Sequence, residues 1–312
     1  MKVLVTGGAG FIGSHVSDAL LAANHEVLVL DDLSSGHRHN VPAQATFAQG
    51  DIRDAAFVAK VFADFKPDVV THQAAQTSVS ISTREPLRDA EINILGSLNI
   101  MNASVQHKVR RVVFASTGGA IYGDVPEGTR ASEQTPPNPM SPYACSKFSV
   151  EKYLTAYARE HDLASTVLRY ANVYGPRQDP HGEAGVVAIF AQRVLAGEPI
   201  QINARAKEGD SGCVRDYVFV GDVVRANLLV IEGKLDKGPI NVCTGVATST
   251  LELAQLIEQA AGVKAVLRYG ARREGDVQRS VLDPGSPPPL GAAVPIAEGI
   301  TRTVKWFKER TV

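Results

Sequence analysis

Short apolar-rich runs and longer amphipathic stretches alternate along roughly the first 170 residues of this chain. The runs at 2–6, 26–30 and 165–169 are typical of strands that are buried on both faces. The stretches at about 84–107 and 143–160 are typical of helices. This alternation predicts an α/β fold with a doubly wound parallel sheet, in which ligands bind at the carboxyl ends of the strands.

The alternation loses its regularity near residue 172, which predicts two domains in a chain of 312 residues. We expect a nucleotide-binding domain over 1–172, to which a segment at about 216–246 returns a strand. We expect a smaller α/β substrate domain over 173–312, built mainly from 173–215 and 247–312.

A glycine-rich turn follows the first apolar run and precedes an amphipathic helix. Gly7, Gly10 and Gly13 permit a tight turn, the close approach of a pyrophosphate and close packing of the helix. The helix N-terminus offers free amides and the positive end of a dipole to phosphate groups. A glycine-rich surface turn before an ordinary helix would look similar locally, but strand, glycines and helix in this order predict a Rossmann-like dinucleotide site.

The second apolar run ends in two acids, Asp31 and Asp32, about twenty residues after the glycines. A carboxylate at this position accepts hydrogen bonds from the adenosine ribose and repels a 2′-phosphate. The pattern therefore predicts NAD rather than NADP as the cofactor. His37 and Arg38 could contact a 2′-phosphate, which leaves NADP open as an alternative.

Tyr143 and Lys147 are four residues apart on a predicted helix and so share one face. A tyrosine hydroxyl, with a free pKa of about 10, is a poor base at neutral pH. An adjacent ammonium charge favours the phenolate, so we expect Lys147 to lower the pKa of Tyr143. This spacing is common on solvated helix faces, and it indicates hydride chemistry on a hydroxyl only in combination with the dinucleotide motif.

The composition excludes several classes of function. Lys plus Arg number 32 and Asp plus Glu number 33, so no basic surface for nucleic acid is expected. No apolar run reaches membrane-spanning length and the N-terminus lacks the apolar core of a signal peptide, so we expect no membrane association. The three scattered cysteines have no metal-ligand spacing, which favours a metal-free protein in a reducing, cytoplasmic compartment.

These motifs resemble those of extended short-chain dehydrogenase/reductases, and within that superfamily the chain is similar to the UDP-glucose 4-epimerase family. The resemblance covers residues 3 to about 310. The runs that carry it most clearly, besides the glycine turn and the Tyr143–Lys147 pair, are 31–36, 50–54, 72–76, 114–123, 168–177, 214–218 and 272–276.

The resemblance implies roles for the residues around Tyr143. Tyr143 would remove the proton of the sugar 4-hydroxyl, and Lys147 would hold the nicotinamide ribose. Thr117 would hydrogen-bond the reacting oxygen, but the loop is one residue longer than in most relatives, so Ser116 is the alternative. The residues implied in NAD binding are Gly7, Gly10, Phe11, Ile12, Gly13, Asp31, Asp32, Ser35, Gly36, Asp51, Ile52, Gln73, Ala74, Ala75, Tyr143, Lys147 and Tyr170.

Gly118 and Gly119 distinguish an epimerase from the related enzymes that this chain also resembles. Sugar-nucleotide 4,6-dehydratases carry Asp-Glu at this position and UDP-glucuronate decarboxylases carry Glu, because their chemistry needs an acid or a base there. Glycine can be neither, which favours return of the hydride to the opposite face of a 4-keto sugar. An epimerase of another nucleotide sugar, such as UDP-glucuronate, is the alternative. A third hypothesis is a non-catalytic NAD-sensing or scaffold protein on the same fold. The presence of Tyr143, Lys147 and Thr117 together argues against it.

Further residues match positions that bind the UDP-sugar substrate in the family. Thr117 and Tyr143 would contact the sugar, Asn172 would contact the sugar nucleotide and Asp276 would lie near the uridine ribose. Arg215 and Arg273 would bind the diphosphate, which suits the planar guanidinium group. Ser280 occupies a position where a large aromatic residue crowds a 2-N-acetyl group, so we expect UDP-N-acetylglucosamine to be accepted as well as UDP-glucose.

The resemblance also implies a homodimer, in which two helices near 84–107 and 143–160 form a four-helix bundle with their copies. An apolar stripe of Ile92, Leu95, Leu98 and Met101 suits such an interface, although it could equally face its own sheet.

Overall fold

A computed structural model describes residues 1–180, 185–236, 238–273, 275–286 and 288–310. The chain divides into two compact units. The first contains Met1–Thr117, Ser141–Arg169 and Val224–Ile240, and the second contains Gly118–Met140, Tyr170–Val223 and Asn241–Val312.

The described residues form the following elements. The strands are β1 (Lys2–Thr6), β2 (Glu26–Asp31), β3 (Thr46–Gln49), β4 (Val69–His72), β5 (Arg111–Thr117), β6 (Ser165–Tyr170), β7 (Asn172–Tyr174), β8 (Pro199–Asn203), β9 (Val214–Arg215), β10 (Tyr217–Phe219), β11 (Ile240–Val242), β12 (Thr248–Ser249), β13 (Val266–Gly270) and β14 (Arg279–Ser280). The helices are α1 (Phe11–Ala22), α2 (Ala55–Phe65), α3 (Val79–Arg84), α4 (Pro86–Ala90), α5 (Gly96–Gln106), α6 (Gly118–Ile121), α7 (Pro142–His161), α8 (Val186–Leu195), α9 (Val220–Ile231), α10 (Thr250–Ala261) and α11 (Ile296–Lys308). Arg38–Asn40 is a 3₁₀ turn and Glu91–Leu95 is a π-helical segment.

The central sheet has seven strands in the order β11-β6-β5-β4-β1-β2-β3. The pairs β2–β3, β1–β2, β1–β4 and β4–β5 are parallel. This arrangement confirms the predicted α/β fold with a parallel, Rossmann-like sheet. Because these strands run in one direction, their carboxyl ends meet at one edge, where ligands bind in such folds.

The core of the first unit explains why its strands are continuous apolar runs rather than alternating ones. Val3, Leu4 and Val5 in β1 are all fully buried, since helices cover both faces of a parallel sheet. Leu4 packs in a cluster with Phe62 of α2 and Leu154 of α7. Helix α5 packs against both α2 and α7, so three helices close one side of the sheet.

The stretch predicted as a helix over about 84–107 is helical from Pro86 to Gln106, through α4, the π-helical segment and α5, with right-handed helical backbone at both joins. Helix α3 ends at Arg84 because Pro86 has no N–H and disfavours helical geometry at the residue before it. Pro86 then takes the first position of α4. By contrast, α7 is a single helix over Pro142–His161, close to the predicted 143–160. Ser141 caps its N-terminus by accepting a hydrogen bond from the Ala144 N–H at 3.2 Å.

The second unit contains three small sheets, in the orders β12-β9-β14, β10-β7 and β13-β8. Helices α8, α10 and α11 pack against one another. Helix α10 begins with a capping box, in which Ser249 and Glu252 each bond the other's backbone N–H. None of the helices in the described part of the chain combines the length and the apolar character needed to cross a membrane.

Candidate functional site

The glycine turn between β1 and α1 is built so that only glycine fits at two of its positions. Gly7 has a φ of +67°, and a Cβ on it would lie 2.6 Å from the Ala74 N atom. A Cβ on Gly13 would lie 2.2 Å from the Gly7 carbonyl oxygen. Gly10 precedes the helix and has no side chain that could cap its first amides. A helix N-terminus without a side-chain cap can bind a phosphate group through its first amides, so the glycine turn and the start of α1 form a candidate phosphate cradle.

Asp31 lies at the end of β2 beside this turn. One carboxylate oxygen accepts a hydrogen bond from the Ala9 N–H at 2.9 Å, and the other accepts one from the Leu33 N–H at 2.9 Å. Burial raises the pKa of Asp31, and the hydrogen bonds from Leu33 and Ala9 oppose that rise. Two carboxylate oxygens have about four acceptor positions, so Asp31 retains the capacity to accept hydrogen bonds from ribose hydroxyls.

The loop after Asp31 packs directly against the glycine turn. A Cβ on Gly36 would lie 2.9 Å from both Ala9 and an Asp31 carboxylate oxygen. Asp32 instead faces outward and accepts hydrogen bonds from the backbone N–H and hydroxyl of Ser34, at 2.9 and 2.6 Å. Asp31 is thus the acid held against the turn, and Asp32 shapes the loop.

The predicted cofactor residues that follow β3 and β4 lie at the same edge of the sheet. Ala74 N–H donates to the Thr6 hydroxyl at 3.2 Å, which joins the ends of β4 and β1. Gln73 Nε2 donates to Thr71 Oγ1 at 2.8 Å. Asp51 receives hydrogen bonds from the Arg53 guanidinium, which lower the pKa of that carboxyl group.

All the predicted cofactor residues belong to the first unit except Tyr170, which is buried in the second unit. This cradle fits a dinucleotide. No group of three or more His, Cys, Asp or Glu side chains in the described residues is arranged to hold a metal ion.

Tyr143 and Lys147 lie in the first two turns of α7. The Tyr143 hydroxyl lies near the Thr117 side chain at the end of β5. Lys147 is only 4% exposed. Its ammonium donates to the Ala115 carbonyl at 2.9 Å and lies 4.8 Å from the centre of the Phe114 ring. The helix and the end of β5 thus place a phenol, a hydroxyl and a buried cation in one site.

The predicted lowering of the Tyr143 pKa by Lys147 is wrong for the chain on its own. Burial raises the pKa of Tyr143 to about 12, with the Thr117 side chain acting against this rise and the Asp89 carboxylate adding to it. Burial also lowers the pKa of Lys147 to about 8. Removal from water disfavours the charged form of both groups, and the Lys147 ammonium is directed at Ala115 and Phe114.

Ser116, the alternative to Thr117, is engaged elsewhere. Its hydroxyl donates to Glu151 Oε1 at 2.6 Å. Glu151 also accepts hydrogen bonds from Arg169 Nε at 3.0 Å and Nη2 at 2.6 Å. Glu151 was missed by the sequence analysis, although it lies four residues after Lys147 and eight after Tyr143, on the same face of α7.

The second unit brings together three of the predicted substrate residues. Asn172 Nδ2 donates to the backbone carbonyl of Asp216 at 3.1 Å. The next strand along places Arg215 in register with Ser280. The Asp216 N–H in turn donates to the Ser280 carbonyl at 2.9 Å. Asn172, Arg215 and Ser280 are therefore neighbours through short strands.

The other predicted substrate residues of this unit, Arg273 and Asp276, lie in a loop rather than in a strand. Arg273 is exposed in the loop before β14, and Asp276 is partly buried in the same loop. Gly119 lies beside Asn172, since a Cβ on it would be 3.4 Å from Asn172 Nδ2. Arg215 donates to the backbone carbonyls of Val214 at 3.1 Å and of Val277.

Comparison with known proteins shows the family to which this chain belongs. Residues 3–243 match the NAD dependent epimerase/dehydratase family. The UDP-glucose 4-epimerase of Mycolicibacterium smegmatis is 44% identical over 320 residues, which covers 100% of both chains.

Two solved structures share both the fold and much of the sequence. The UDP-glucose 4-epimerase of Thermus thermophilus in complex with NAD is 51% identical, with a TM-score of 0.95 and 99% of each chain covered. The Thermotoga maritima UDP-glucose 4-epimerase with UDP-glucose is 45% identical, with a TM-score of 0.93 and 100% of each chain covered.

The buried ion pair beneath α7 leads to a stability prediction. The side chains of Arg169 and Glu151 are only 5% and 7% exposed, so Glu151→Gln leaves a buried guanidinium without its counter-charge. We expect a loss of about 3–5 kcal/mol in the free energy of unfolding, measured by urea denaturation. The double variant Glu151→Leu/Arg169→Leu removes both charges and should lose less. An equal or larger loss in the double variant would contradict this account.

Proposed function

The chain belongs to the NAD dependent epimerase/dehydratase family, and we propose that it interconverts the 4-epimers of a UDP-hexose, such as UDP-glucose and UDP-galactose, with NAD as cofactor. The observation that carries this proposal is the buried Tyr143 hydroxyl, which lies near the Thr117 side chain and one helical turn from a buried lysine. Family members named as UDP-glucose 4-epimerases match the whole chain. The same chemistry on UDP-glucuronate or another nucleotide sugar is the second candidate.

The residues of the first unit fit NAD. We assign the diphosphate to the cradle at Gly7 and Gly13, the adenosine ribose to Asp31 and the nicotinamide ribose to Lys147. When bound, NAD would supply a hydride acceptor at carbon 4 of the sugar and a positive ring charge.

Proton transfer is the task of the chain's own residues. With a pKa of about 12 in the chain alone, Tyr143 keeps its proton at neutral pH. A nearby positive charge favours the phenolate, which then accepts the proton of the sugar 4-hydroxyl. Thr117 lies near the phenol oxygen, where its hydroxyl would hydrogen-bond the reacting oxygen. In the second half of the reaction, Tyr143 returns the proton to the same oxygen.

The residues after Thr117 favour epimerisation over elimination. Gly118 and Gly119 carry no acid or base, so they supply no proton transfer at carbons 5 and 6 of a 4-keto sugar. Rotation of the sugar and reduction from its opposite face then complete the reaction without an external reductant.

The test is incubation with UDP-galactose in the absence of any added reductant. We expect UDP-glucose to form and Tyr143→Phe to be slower by about 10²- to 10⁴-fold, because proton transfer in the transition state is lost. Tyr157→Phe is the matched control: its hydroxyl lies on the same helix but bonds Asn102 at 2.6 Å on the surface.

Three outcomes decide between the candidates. Absence of UDP-glucose would contradict the proposal, and so would equal activity of Tyr143→Phe and Tyr157→Phe. Epimerisation of UDP-glucuronate in place of UDP-galactose would favour the second candidate.

We assign binding of the sugar nucleotide to residues 173–312 together with Asn172. Arg215 and Arg273 would bind the diphosphate, Asp276 the uridine ribose and Asn172 the sugar nucleotide. Ser280 would leave room for a 2-N-acetyl group, which its small, 1% exposed side chain next to Arg215 supports.

The wild type is therefore expected to epimerise UDP-N-acetylglucosamine. Ser280→Tyr should reduce this turnover at least about tenfold more than the turnover of UDP-glucose, because a ring excludes the larger substituent. Turnover of both substrates by wild type, Ser280→Tyr and the space-preserving control Ser280→Ala measures this. Retained N-acetyl activity in Ser280→Tyr would contradict the assignment, and its UDP-glucose turnover reports whether the variant is folded.

We further propose a cytoplasmic homodimer. The three cysteines are free thiols, as expected in a reducing compartment, and cell fractionation would test the location. In the predicted stripe, Met101 is buried and Ile92 and Leu98 pack on the unit's own core. That part of the stripe faces inward, whereas Leu95 is 54% exposed.

A surface available for self-association lies on α4, the π-helical segment and α7. Leu87, Leu95 and Tyr153 there are 80%, 54% and 41% exposed. We expect wild type to sediment as a dimer and Leu87→Glu to shift toward monomer, because the new charge would be desolvated at the interface. The matched control is Val266→Glu, a 52% exposed apolar residue of the second unit. A dimer unaffected by Leu87→Glu would place the interface elsewhere.

A further inference from the structure

We propose that Asp89 is a positioning residue for the reaction, which anchors the first turns of α7 through Ser146 and places a negative charge beside Tyr143 and Lys147. The role of Asp89 in catalysis rests on the proposed function. The effect of its charge on Tyr143 and Lys147 does not depend on the substrate.

The Asp89 carboxylate lies on α4 and is fully buried. Both of its oxygens accept hydrogen bonds. One oxygen accepts from Gln76 Nε2 at 2.8 Å and from Asn93 Nδ2 at 2.9 Å. The other accepts from the Ser146 hydroxyl at 2.6 Å. Amide NH₂ groups can only donate, so this environment suits the ionised carboxylate. A buried charge is tolerable only when it is hydrogen-bonded in this way.

Ser146 connects Asp89 to α7, the helix that carries Tyr143 and Lys147. It directly precedes Lys147 and lies three residues after Tyr143. Lys147 bonds the end of β5 at Ala115, whereas Ser146 bonds α4 through Asp89. The N-terminal part of α7 is thus fixed to two different elements, which orients Tyr143.

The same contacts connect α7 to the cofactor edge of the sheet. The Ser97 hydroxyl donates to the Asn93 carbonyl at 2.6 Å and lies 2.9 Å from His72 Nε2. His72 Nδ1 lies 2.6 Å from the hydroxyl of Thr6, the last residue of β1. A chain of buried hydrogen bonds therefore runs from the residue before the glycine turn to Asn93, which bonds Asp89.

Asp89 is the charged group that acts on both members of the pair. The carboxylate raises the pKa of Tyr143, in addition to the effect of burial, and raises that of Lys147, against the effect of burial. His72 is neutral, because burial lowers its pKa to about 3. Glu151 is paired with Arg169. The remaining charged side chains on α3, α4, the π-helical segment and the Lys147–Lys152 part of α7 are exposed: Arg84, Glu85, Arg88, Glu91 and Lys152.

Removing the Asp89 charge should shift the pKa values of Tyr143 and Lys147 in the same direction. Without the carboxylate, the Lys147 ammonium loses a stabilising partner and the Tyr143 phenolate loses a repelling one. Both groups should then release their protons at lower pH. A purely structural role for Asp89 would change activity without moving either titration.

Asp89→Asn separates charge from geometry. An asparagine can keep its oxygen toward Gln76 and Asn93 and direct its NH₂ to the Ser146 oxygen, so each heavy-atom contact has an acceptable donor and acceptor. Ser146→Ala does the reverse, removing the hydrogen bond and keeping the charge. Glu91→Gln is the control for loss of one exposed acid, since its side chain is 55% exposed.

The experiment is an NMR titration of the lysine ε-carbons in the NAD-bound protein, with the Lys147 signal identified by its absence in Lys147→Arg. We expect the Lys147 midpoint to fall by about one pH unit in Asp89→Asn. It should stay at the wild-type value in Ser146→Ala and in Glu91→Gln. Asp89→Ala, in which water can occupy the space, is a second variant without the charge if Asp89→Asn fails to fold.

An unchanged Lys147 midpoint in the charge-removing variants would overturn the proposal, as would an equal shift in Ser146→Ala. Where epimerase activity is present, both limbs of the pH–rate profile of Asp89→Asn should move to lower pH. Absence of activity in wild type contradicts the proposed function alone, because the lysine titration does not depend on turnover.

Discussion

The burial of the Lys147 ammonium beneath α7 is the constraint around which the first unit is organised. A charged amine out of water must be surrounded by acceptors and counter-charge. Here the Ala115 carbonyl, the Phe114 ring and the Asp89 carboxylate supply them. The contacts to Ala115 and Phe114 fix α7 against β5, and Asp89 holds the same helix to α4 through Ser146, so the surroundings of one cation also determine where Tyr143 lies.

A second cluster of buried charges lies one turn further along α7 and also fixes this helix against the sheet. Glu151 continues the face of Tyr143 and Lys147 and is neutralised by Arg169 of β6, with Ser116 of β5 as an added donor. The buried face of α7 is therefore partly polar, in contrast to the apolar buried face of α2. Such networks are costly when incomplete, and this helix has little freedom to move relative to the sheet.

Local patterns predicted the strands, the glycine turn, the acid at the end of β2 and the Tyr143–Lys147 pair, because each depends on residues within a few turns of one another. Asp89 was not predictable in this way, since it meets Ser146 only through tertiary packing. The direction of the Tyr143 pKa failed for the same reason: helical spacing records which charges are near, but not how far water is excluded.

Burial of the phenol also bears on how the base is controlled. A tyrosine with a pKa of about 12 is almost entirely protonated at neutral pH, and neither Thr117 nor Lys147 overcomes the effect of burial in the chain alone. Under the proposed function, the base acquires its reactive form only in the company of a cationic cofactor. Proton removal is then confined to the state in which a hydride acceptor is present. With Gly118 and Gly119 offering no other route for the resulting ketone, one site can run the same proton transfer in both directions.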